Sequence, residues 1–446
     1  MTGDGREQGR AEAAGPQALF FEAVQAHQQR RFAEAERGYM QVLGLLPGHP
    51  KVLGNLAALY REVRRFEEAA DCCRQALEET PDDPLLHLNL GAIKEEQGDI
   101  SSAIACFRRV LELEPANAMA LNNLGKVLHR QGQIHEGEEY LRQALQVEPD
   151  YPHALNNLGV ICSEQGNNRE AEDYFRRSLR LAPEDAATLY NLAGVCNCQG
   201  RKEEAASLLE QVLRLEPGHA LAGHLLAALA GKTTETAPRA YVEATFDAYA
   251  GRFDRHLTGE LRYMVPMVLR EMIDTFLPAE GGFARALDLG CGTGLTGEAI
   301  RPLCRELHGV DVSAGMLAKA KKKGCYDQLV QEDIVAFLAD CRESYDLFVA
   351  ADVFVYLGRL ESAFSGLARA AAPGAILAFS IERSRKDGEM VLNPSGRYAH
   401  SPDYIEWLAR RQGLEILACR EQGIRWEGGS WIEGDLFVLR FPSRQE

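Results

Sequence analysis

Prolines stand at positions 47, 81, 115, 149, 183 and 217, each 34 residues after the last. A period of that length and strictness predicts a stack of equal helical units, an α-solenoid, in place of a single globular core. Within each period two amphipathic helical patterns precede the proline. Leu121, Leu124, Gly125 and Leu128 are followed by Gly137, Leu141 and Ala144 ahead of Pro149, and Leu155, Leu158 and Gly159 by Ala171 and Phe175 ahead of Pro183. Small residues let two helices approach, and proline cannot continue the second. One such pair is too small to bury its own face, so stability must come from stacking.

The pattern resembles the tetratricopeptide repeat, with six copies over residues 16–219. Ahead of them lies a polar stretch, 1–15, expected to be a disordered tail without the apolar core of a signal peptide. An apolar helix is expected to cap the stack within 220–231, and a polar linker follows over 232–240. A second period runs through the array. Asn55, Asn89, Asn123, Asn157 and Asn191 share one repeat position, one residue before the apolar pair of the first helix and so turned about 100° from the buried stripe. A row of carboxamides has donors and acceptors for the backbone of an extended protein or peptide partner along the concave surface. The alternative is a local bond to neighbouring backbone. Similar asparagine ladders bind peptide in the repeat superhelix of O-GlcNAc transferases, which these repeats resemble.

The second half carries the chemistry. Ala286-Leu-Asp-Leu-Gly-Cys-Gly-Thr-Gly294 reads as an apolar strand ending in a carboxylate, then a glycine-rich turn, then a helix start over Leu295–Arg301. About 20 residues on, a second apolar strand ends at Asp311, a carboxylate suited to ribose hydroxyls. Gly292, Gly294 and Gly297 also satisfy a dinucleotide fingerprint, but Asp288 suits a ligand with a cationic amino group better than it suits a pyrophosphate. The run resembles motif I of the class I S-adenosylmethionine-dependent methyltransferases. Four further motifs of that family follow in order: Val310-Asp-Val-Ser313 with Met316 and Leu317, Gln331-Glu-Asp333-Ile334, Tyr345–Asp352, and Pro373–Ser380.

The resemblance implies a Rossmann-like α/β domain over 241–446, with a helical lead-in at 241–280 and a core at 281–446. It also implies S-adenosyl-L-methionine as cofactor, held by Asp288, Gly290, Cys291, Gly292, Gly294, Asp311, Val312, Met316, Asp333 and Ile334. Cys291 is expected to be a small filler and no nucleophile; Asp311 and Asp333 also suit helix N-caps. Tyr249 and Phe253 of the lead-in are candidates to cover the methionine end, or else plain core aromatics. Repeats followed by this lead-in resemble bacterial predicted methyltransferases with tetratricopeptide repeats. A charged, glycine-rich insertion over Arg383–Pro402 is expected to shape the acceptor site, with Arg397, Tyr398, His400 and Tyr404 as its most chemically capable residues. His400 leads for acceptor handling, followed by Asp352 and Tyr356 after the fourth strand.

Composition narrows the rest. A net charge of −16 disfavours nucleic acid as a partner, and no apolar run is long enough to span a membrane. The lysine cluster at 319, 321, 322 and 323 suits a helix end complementing the macrodipole. Eleven cysteines without a C-x-x-C pair give no metal site and fit reduced thiols in a cytoplasmic protein. The expected function is methyl transfer with the repeats docking a protein, either the substrate itself or a carrier. The alternatives are a free small-molecule acceptor with the repeats used for assembly, a non-catalytic scaffold, and a nicotinamide oxidoreductase.

Overall fold

The computed structural model describes residues 15–251, 253–278, 281–384, 390–427 and 429–443. Apart from Gly15, the tail at 1–15 lies outside the described residues, as do residues 385–389 of the insertion. Contacts divide the chain into two compact units, Met1–Leu181 and Ala182–Glu446.

In the first unit, five antiparallel pairs follow one another: α1 (Pro16–Gln28) with α2 (Phe32–Leu45), α3 (Pro50–Glu62) with α4 (Phe66–Glu79), α5 (Pro84–Glu96) with α6 (Ile100–Leu113), α7 (Ala118–Arg130) with α8 (Ile134–Val147), and α9 (Pro152–Glu164) with α10 (Asn168–Leu181). The prolines set the period physically. In α2, α4, α6 and α8 the helix ends two residues before its proline, and the intervening residue leaves the helical region, with ψ of 75° at Leu46, 74° at Thr80, 84° at Glu114 and 90° at Glu148. That is the steric demand of the proline ring on its predecessor. The small residues act in two ways. A Cβ on Gly125 would stand 2.7 Å from the Gly137 carbonyl oxygen, so there two backbones meet. A Cβ on Gly159 would stand 2.6 Å from the Phe175 ring, so there glycine makes room for an aromatic knob.

The second unit begins with a sixth pair, α11 (Ala186–Cys198) and α12 (Lys202–Leu215), and the apolar helix α13 (Ala220–Leu229). The lead-in follows as α14 (Arg239–Tyr249), a single turn α15 (Phe253–Arg255), a π-helical turn His256–Glu260 and α16 (Val265–Asp274). Then strands and helices alternate: β1 (Phe283–Leu289), α17 (Leu295–Ile300), β2 (Cys304–Asp311), α18 (Ala314–Lys323), β3 (Gln328–Gln331), α19 (Ile334–Asp340), β4 (Tyr345–Ala350), α20 (Glu361–Ala370) and β5 (Ala371–Arg383). The expected insertion contains a hairpin, β6 (Met390–Leu392) and β7 (Tyr398–His400), before α21 (Pro402–Gln412) and the long closing strands β8 (Glu415–Glu427) and β9 (Ser430–Arg440).

All nine strands among the described residues form one sheet, with β3-β2-β1-β4-β5 parallel and β9 antiparallel to β5. Strand period sorts the core. Leu287, Leu289, Phe348 and Ala350 pack with α19, α20 and α21, whereas Ala286, Leu347 and Val349 pack with α16 on the other face. The strand order reverses between β1 and β4, and the carboxyl ends of those strands frame the crevice where α/β sheets bind ligands.

The packing predicts that Gly159→Ala destabilises the first unit by about 1–3 kcal/mol, because the added methyl meets a fully buried ring. Urea unfolding of the full chain is the measurement.

Candidate active site

The glycine turn after β1 runs through the left-handed region, with φ of 64° at Gly290, 54° at Gly292 and 91° at Gly294. Its glycines have different neighbours. A Cβ on Gly290 would stand 2.7 Å from Val353 Cγ2, so that glycine serves packing against the segment after β4. At Gly292 the nearest neighbour, the Phe253 ring, is 3.8 Å away, leaving its backbone open to a ligand.

Asp311 ties this turn to the next. One carboxylate oxygen accepts the Gly292 N–H at 2.8 Å and the other the Ser313 N–H at 2.8 Å. Burial raises its pKa, and the two N–H donors pull the other way. Ionised, each oxygen keeps acceptor capacity for a hydroxyl pair such as that of ribose.

Asp288 lies deeper, 1% exposed, on the face it shares with Ala286. Its Oδ2 accepts the Tyr326 hydroxyl at 2.7 Å, while its Oδ1 is buried without a partner among the described residues. Burial pushes its pKa up to about 7 against the lowering effect of the Tyr326 bond. Tyr326 explains the third glycine of the dinucleotide-like pattern, since a side chain at Gly297 would collide with the phenol. Cys291 is 4% exposed, and burial holds its thiol well above the usual range, as suits a filler. An unsatisfied buried carboxylate oxygen beside an open glycine backbone and a doubly anchored aspartate fits a ligand that joins an ammonium to a ribose.

The remaining expected cofactor residues line the neighbouring turns. Val312 is half-buried, and its carbonyl accepts the Gln331 amide at 3.3 Å. Met316 is fully buried in the first turn of α18. Asp333 caps α19, its Oδ1 accepting from Val335 N–H at 2.9 Å and Ala336 N–H at 3.1 Å, with half-buried Ile334 opening the helix. Asp333 therefore has the capping role that its residue type allows, with only part of its carboxylate engaged.

Two acids of the lead-in pin it over these turns. Asp247 accepts from the Ser313 hydroxyl at 2.5 Å and the Gly315 N–H at 3.1 Å. Asp254 accepts from the Thr293 hydroxyl and pairs with Lys323 at 3.0 Å, which takes one lysine of the basic cluster into an ion pair. Between them, the Tyr249 ring lies 5.1 Å from Phe253 and bonds His256 through its hydroxyl.

On the β4 side, Asp352 adopts φ 61° and donates its N–H to Ser380 Oγ at 2.8 Å. Its Oδ2 accepts from Arg425 at 2.6 Å, and its Oδ1 is buried without a partner among the described residues. Arg425, 3% exposed, also pairs with Glu382 and, at 3.2 Å, with Glu427. Arg397 reaches Glu382 at 2.8 Å and Glu427 at 2.5 Å. Half-buried Tyr356 borders this cluster, its ring 5.0 Å from Phe246 and its pKa raised by burial. His400 is set apart. It is fully buried on β7, bonds the Gly358 carbonyl through Nε2 at 2.7 Å and stacks on Tyr404. Burial holds its pKa down to about 4, so the imidazole is neutral and occupied in packing, unlike the open acceptor-handling histidine expected from a loop.

The structure thus brings Asp288, the glycine turn, Asp311, Val312 and Met316 together, with Tyr249 in the lead-in above. Asp352 and Tyr356 join a second cluster with Arg425, Arg397, Glu382 and Glu427. Sequence reading missed Tyr326, Asp247, Asp254 and Arg425, whose partners lie 38, 66, 39 and 73 positions away. Of the second cluster, Asp352 and Tyr356 after the fourth strand and Arg397 inside the insertion carried a signal, whereas Glu382 and Glu427 carried none. Of the asparagine row, Asn55, Asn89, Asn123 and Asn157 are half-buried on α3, α5, α7 and α9, and Asn191 lies on α11 of the second unit. Asn55 donates to the Lys51 carbonyl at 2.8 Å, the local bond that was the alternative reading. Asn157 donates at 2.9 Å to Asn122, which donates at 3.1 Å to Asn123.

Comparison with known proteins agrees with this architecture. A methyltransferase domain model matches residues 287–377, and tetratricopeptide repeat models match 26–93, 117–184 and 163–229. Trans-aconitate 2-methyltransferase of Paracidovorax citrulli is 34% identical over 23% of this chain and 41% of its own length. Nodulation protein S of Rhizobium tropici is 32% identical over 24% of this chain and 46% of its own. A malonyl-(acyl-carrier protein) O-methyltransferase of Enterobacter lignolyticus is 34% identical over 31% and 52%. The chain therefore spans about half the length of these curated relatives. Among solved structures, the N-methyltransferase NodS of Bradyrhizobium japonicum with S-adenosyl-L-homocysteine is 20% identical, with TM-score 0.37 over 45% of this chain and 99% of that one. PilW, a type IV pilus biogenesis factor, is 25% identical, with TM-score 0.38 over 45% and 92%.

The domain match over residues 287–377 and the arrangement of the site fit S-adenosylmethionine as cofactor. The chain joins tetratricopeptide repeats to a domain that matches the methyltransferase model.

Two outcomes follow for cofactor binding. In Asp311→Asn the amide satisfies only one of the two N–H donors, so S-adenosylhomocysteine affinity falls about tenfold or more. Asp288 is protonated below about pH 7 in the free protein, and a neighbouring ammonium favours its ionised form. Affinity therefore rises with pH up to about 7 and then levels, with proton release on binding below that pH. Calorimetry in buffers of different ionisation enthalpy measures both, and Asp288→Asn removes the proton release.

Proposed function

We propose that this chain transfers the methyl group of S-adenosylmethionine to an acceptor presented by a protein docked on its repeats, in the cytoplasm. The observation that carries the methyl-transfer part is the pairing of Asp311 with the Gly292 N–H beside the buried, half-satisfied Asp288. When bound, the sulfonium supplies an electrophilic methyl for in-line displacement. The protein's task is alignment and exclusion of water. Gly292, Asp311 and Asp288 hold the cofactor's polar groups, with Val312, Met316, Asp333 and Ile334 around them. Phe253 and Tyr249, pinned through Asp247 and Asp254, cover the glycine turn. Asp352 and Tyr356 meet the acceptor. This role draws support from the buried Asp352 oxygen without a partner, which can accept a hydrogen bond or proton, and from the Arg425 bond that holds the other oxygen. His400 supports this wall from behind through Gly358.

Protein docking draws support from the asparagine row. The chain of bonds from Asn157 through Asn122 to Asn123 fixes two carboxamides in adjacent repeats, and the Asn123 amide nitrogen and Asn157 carbonyl oxygen make no bond among the described residues. One relative's name describes an acceptor on a carrier protein, which is compatible with a carrier docked here. A free small molecule, as in the name of another relative, is the second reading.

Incubation of lysate from a deletion strain with the purified protein and labelled methyl donor separates them. Label in protein, or in a group released from protein, is expected; label confined to free small molecules overturns the docking reading. In the same assay Asn123→Ala with Asn157→Ala is expected to weaken partner capture about tenfold, as loss of two backbone-directed bonds would.

A further inference from the structure

The hairpin β6–β7 pairs Met390 with His400, Val391 with Ala399 and Leu392 with Tyr398. Its turn is closed by Asn393 N–H on the Arg397 carbonyl at 2.8 Å and Gly396 N–H on the Asn393 carbonyl at 2.8 Å. Arg397, at the end of the turn, reaches the same two carboxylates, Glu382 and Glu427, that Arg425 uses beside Asp352. The turn itself is gripped from outside by helices that continue the repeat period. Asn197 of α11 donates to the Pro394 carbonyl at 3.0 Å, and His224 of α13 bonds the Gly396 carbonyl through Nε2 at 2.8 Å.

Neither contact is incidental packing. His224 is 3% exposed, with its ring 4.4 Å from that of Tyr241. Gly396 has φ 80°, and a Cβ there would stand 2.6 Å from the Tyr241 hydroxyl, so the turn fits this one seat. The connecting segment adds two bonds, Leu392 N–H to Thr233 Oγ1 at 3.3 Å and the Thr234 hydroxyl with the Tyr398 hydroxyl at 2.5 Å. Ala228, Tyr241, Leu392 and Tyr398 share one apolar cluster with Tyr356 at its edge.

We infer that α11 and α13 are part of the acceptor side of the active centre, with Asn197 and His224 as positioning residues that seat the 393–397 turn and thereby bring Arg397 onto the ion cluster around Asp352. The inference rests on the methyl-transfer reading of that site. Without the grip Arg397 withdraws, and three carboxylates are left with Arg425 alone. The cofactor turn keeps its own anchors, Asp311 and Asp288, on the other side of the crevice.

The test uses the full chain with Asn197→Asp, which keeps shape but removes the donor, and with His224→Ala. Calorimetry with S-adenosylhomocysteine, hydrogen exchange of the amides of residues 390–400, and labelled methyl transfer to lysate are measured together. Exchange at Asn393 and Gly396 is expected to quicken about tenfold, with S-adenosylhomocysteine affinity held within about twofold, as local opening of one hairpin predicts. Methyl transfer is expected to fall at least about tenfold, and Arg397→Met to reproduce that fall without altering cofactor affinity, since the residues act as one unit. Unchanged exchange overturns the inference, as does quickened exchange with undiminished methyl transfer. A parallel loss of cofactor affinity also overturns it, by showing general damage. If the unsubstituted protein binds no S-adenosylhomocysteine, the methyl-transfer reading itself falls, and that result is separate from the exchange comparison.

Discussion

One carboxylate organises the unit that carries the sheet. Asp311 ends β2, yet its two oxygens hold N–H groups of two different turns, Gly292 after β1 and Ser313 after β2. A buried carboxylate without such donors would be protonated or excluded; with them it is kept in place and fixes the spacing of the two turns. Ser313 in turn caps α18 and donates to Asp247, so the lead-in helix is registered against the same point. The glycine turn, the lead-in helix and the strand ends thus share one anchor.

The ion cluster around Asp352 follows a different physical rule. Arg425 is almost completely buried and meets three carboxylates, two of which it shares with Arg397. Such clusters add little net stability over apolar packing, because desolvation offsets the attraction. They do fix orientation, and removing one member leaves a buried charge uncompensated. The positive φ of Asp352 belongs to this arrangement, since it sits where the N–H meets Ser380 and a carboxylate oxygen meets Arg425. Local strain of that kind persists where surrounding contacts over-determine it.

Repeat period and compact unit do not coincide. The 34-residue spacing runs without interruption to Pro217, but contacts divide the chain after Leu181, and the sixth helix pair and α13 belong to the unit that carries the sheet. Asn197 and His224 show why: their partners are carbonyls of a turn near residue 395. The polar segment near residue 235 reads as a linker by composition, yet the Glu235 carbonyl accepts the Arg359 N–H at 2.7 Å and Thr234 bonds Tyr398.

Sequence by itself determined what depends on local sterics and periodicity. Proline spacing fixed where the helices of each repeat stop, apolar runs marked β1 and β2, and the glycines marked the turn between β1 and α17, because near neighbours in the chain decide those features. The tertiary structure alone decided which distant side chains meet. It gave Asp288 its Tyr326 partner, drew Arg425 onto Asp352, formed a hairpin over 390–400 within the expected loop, and buried His400 against Gly358. A loop histidine and a packed one are indistinguishable as letters; only the surrounding elements determine how much water the imidazole retains.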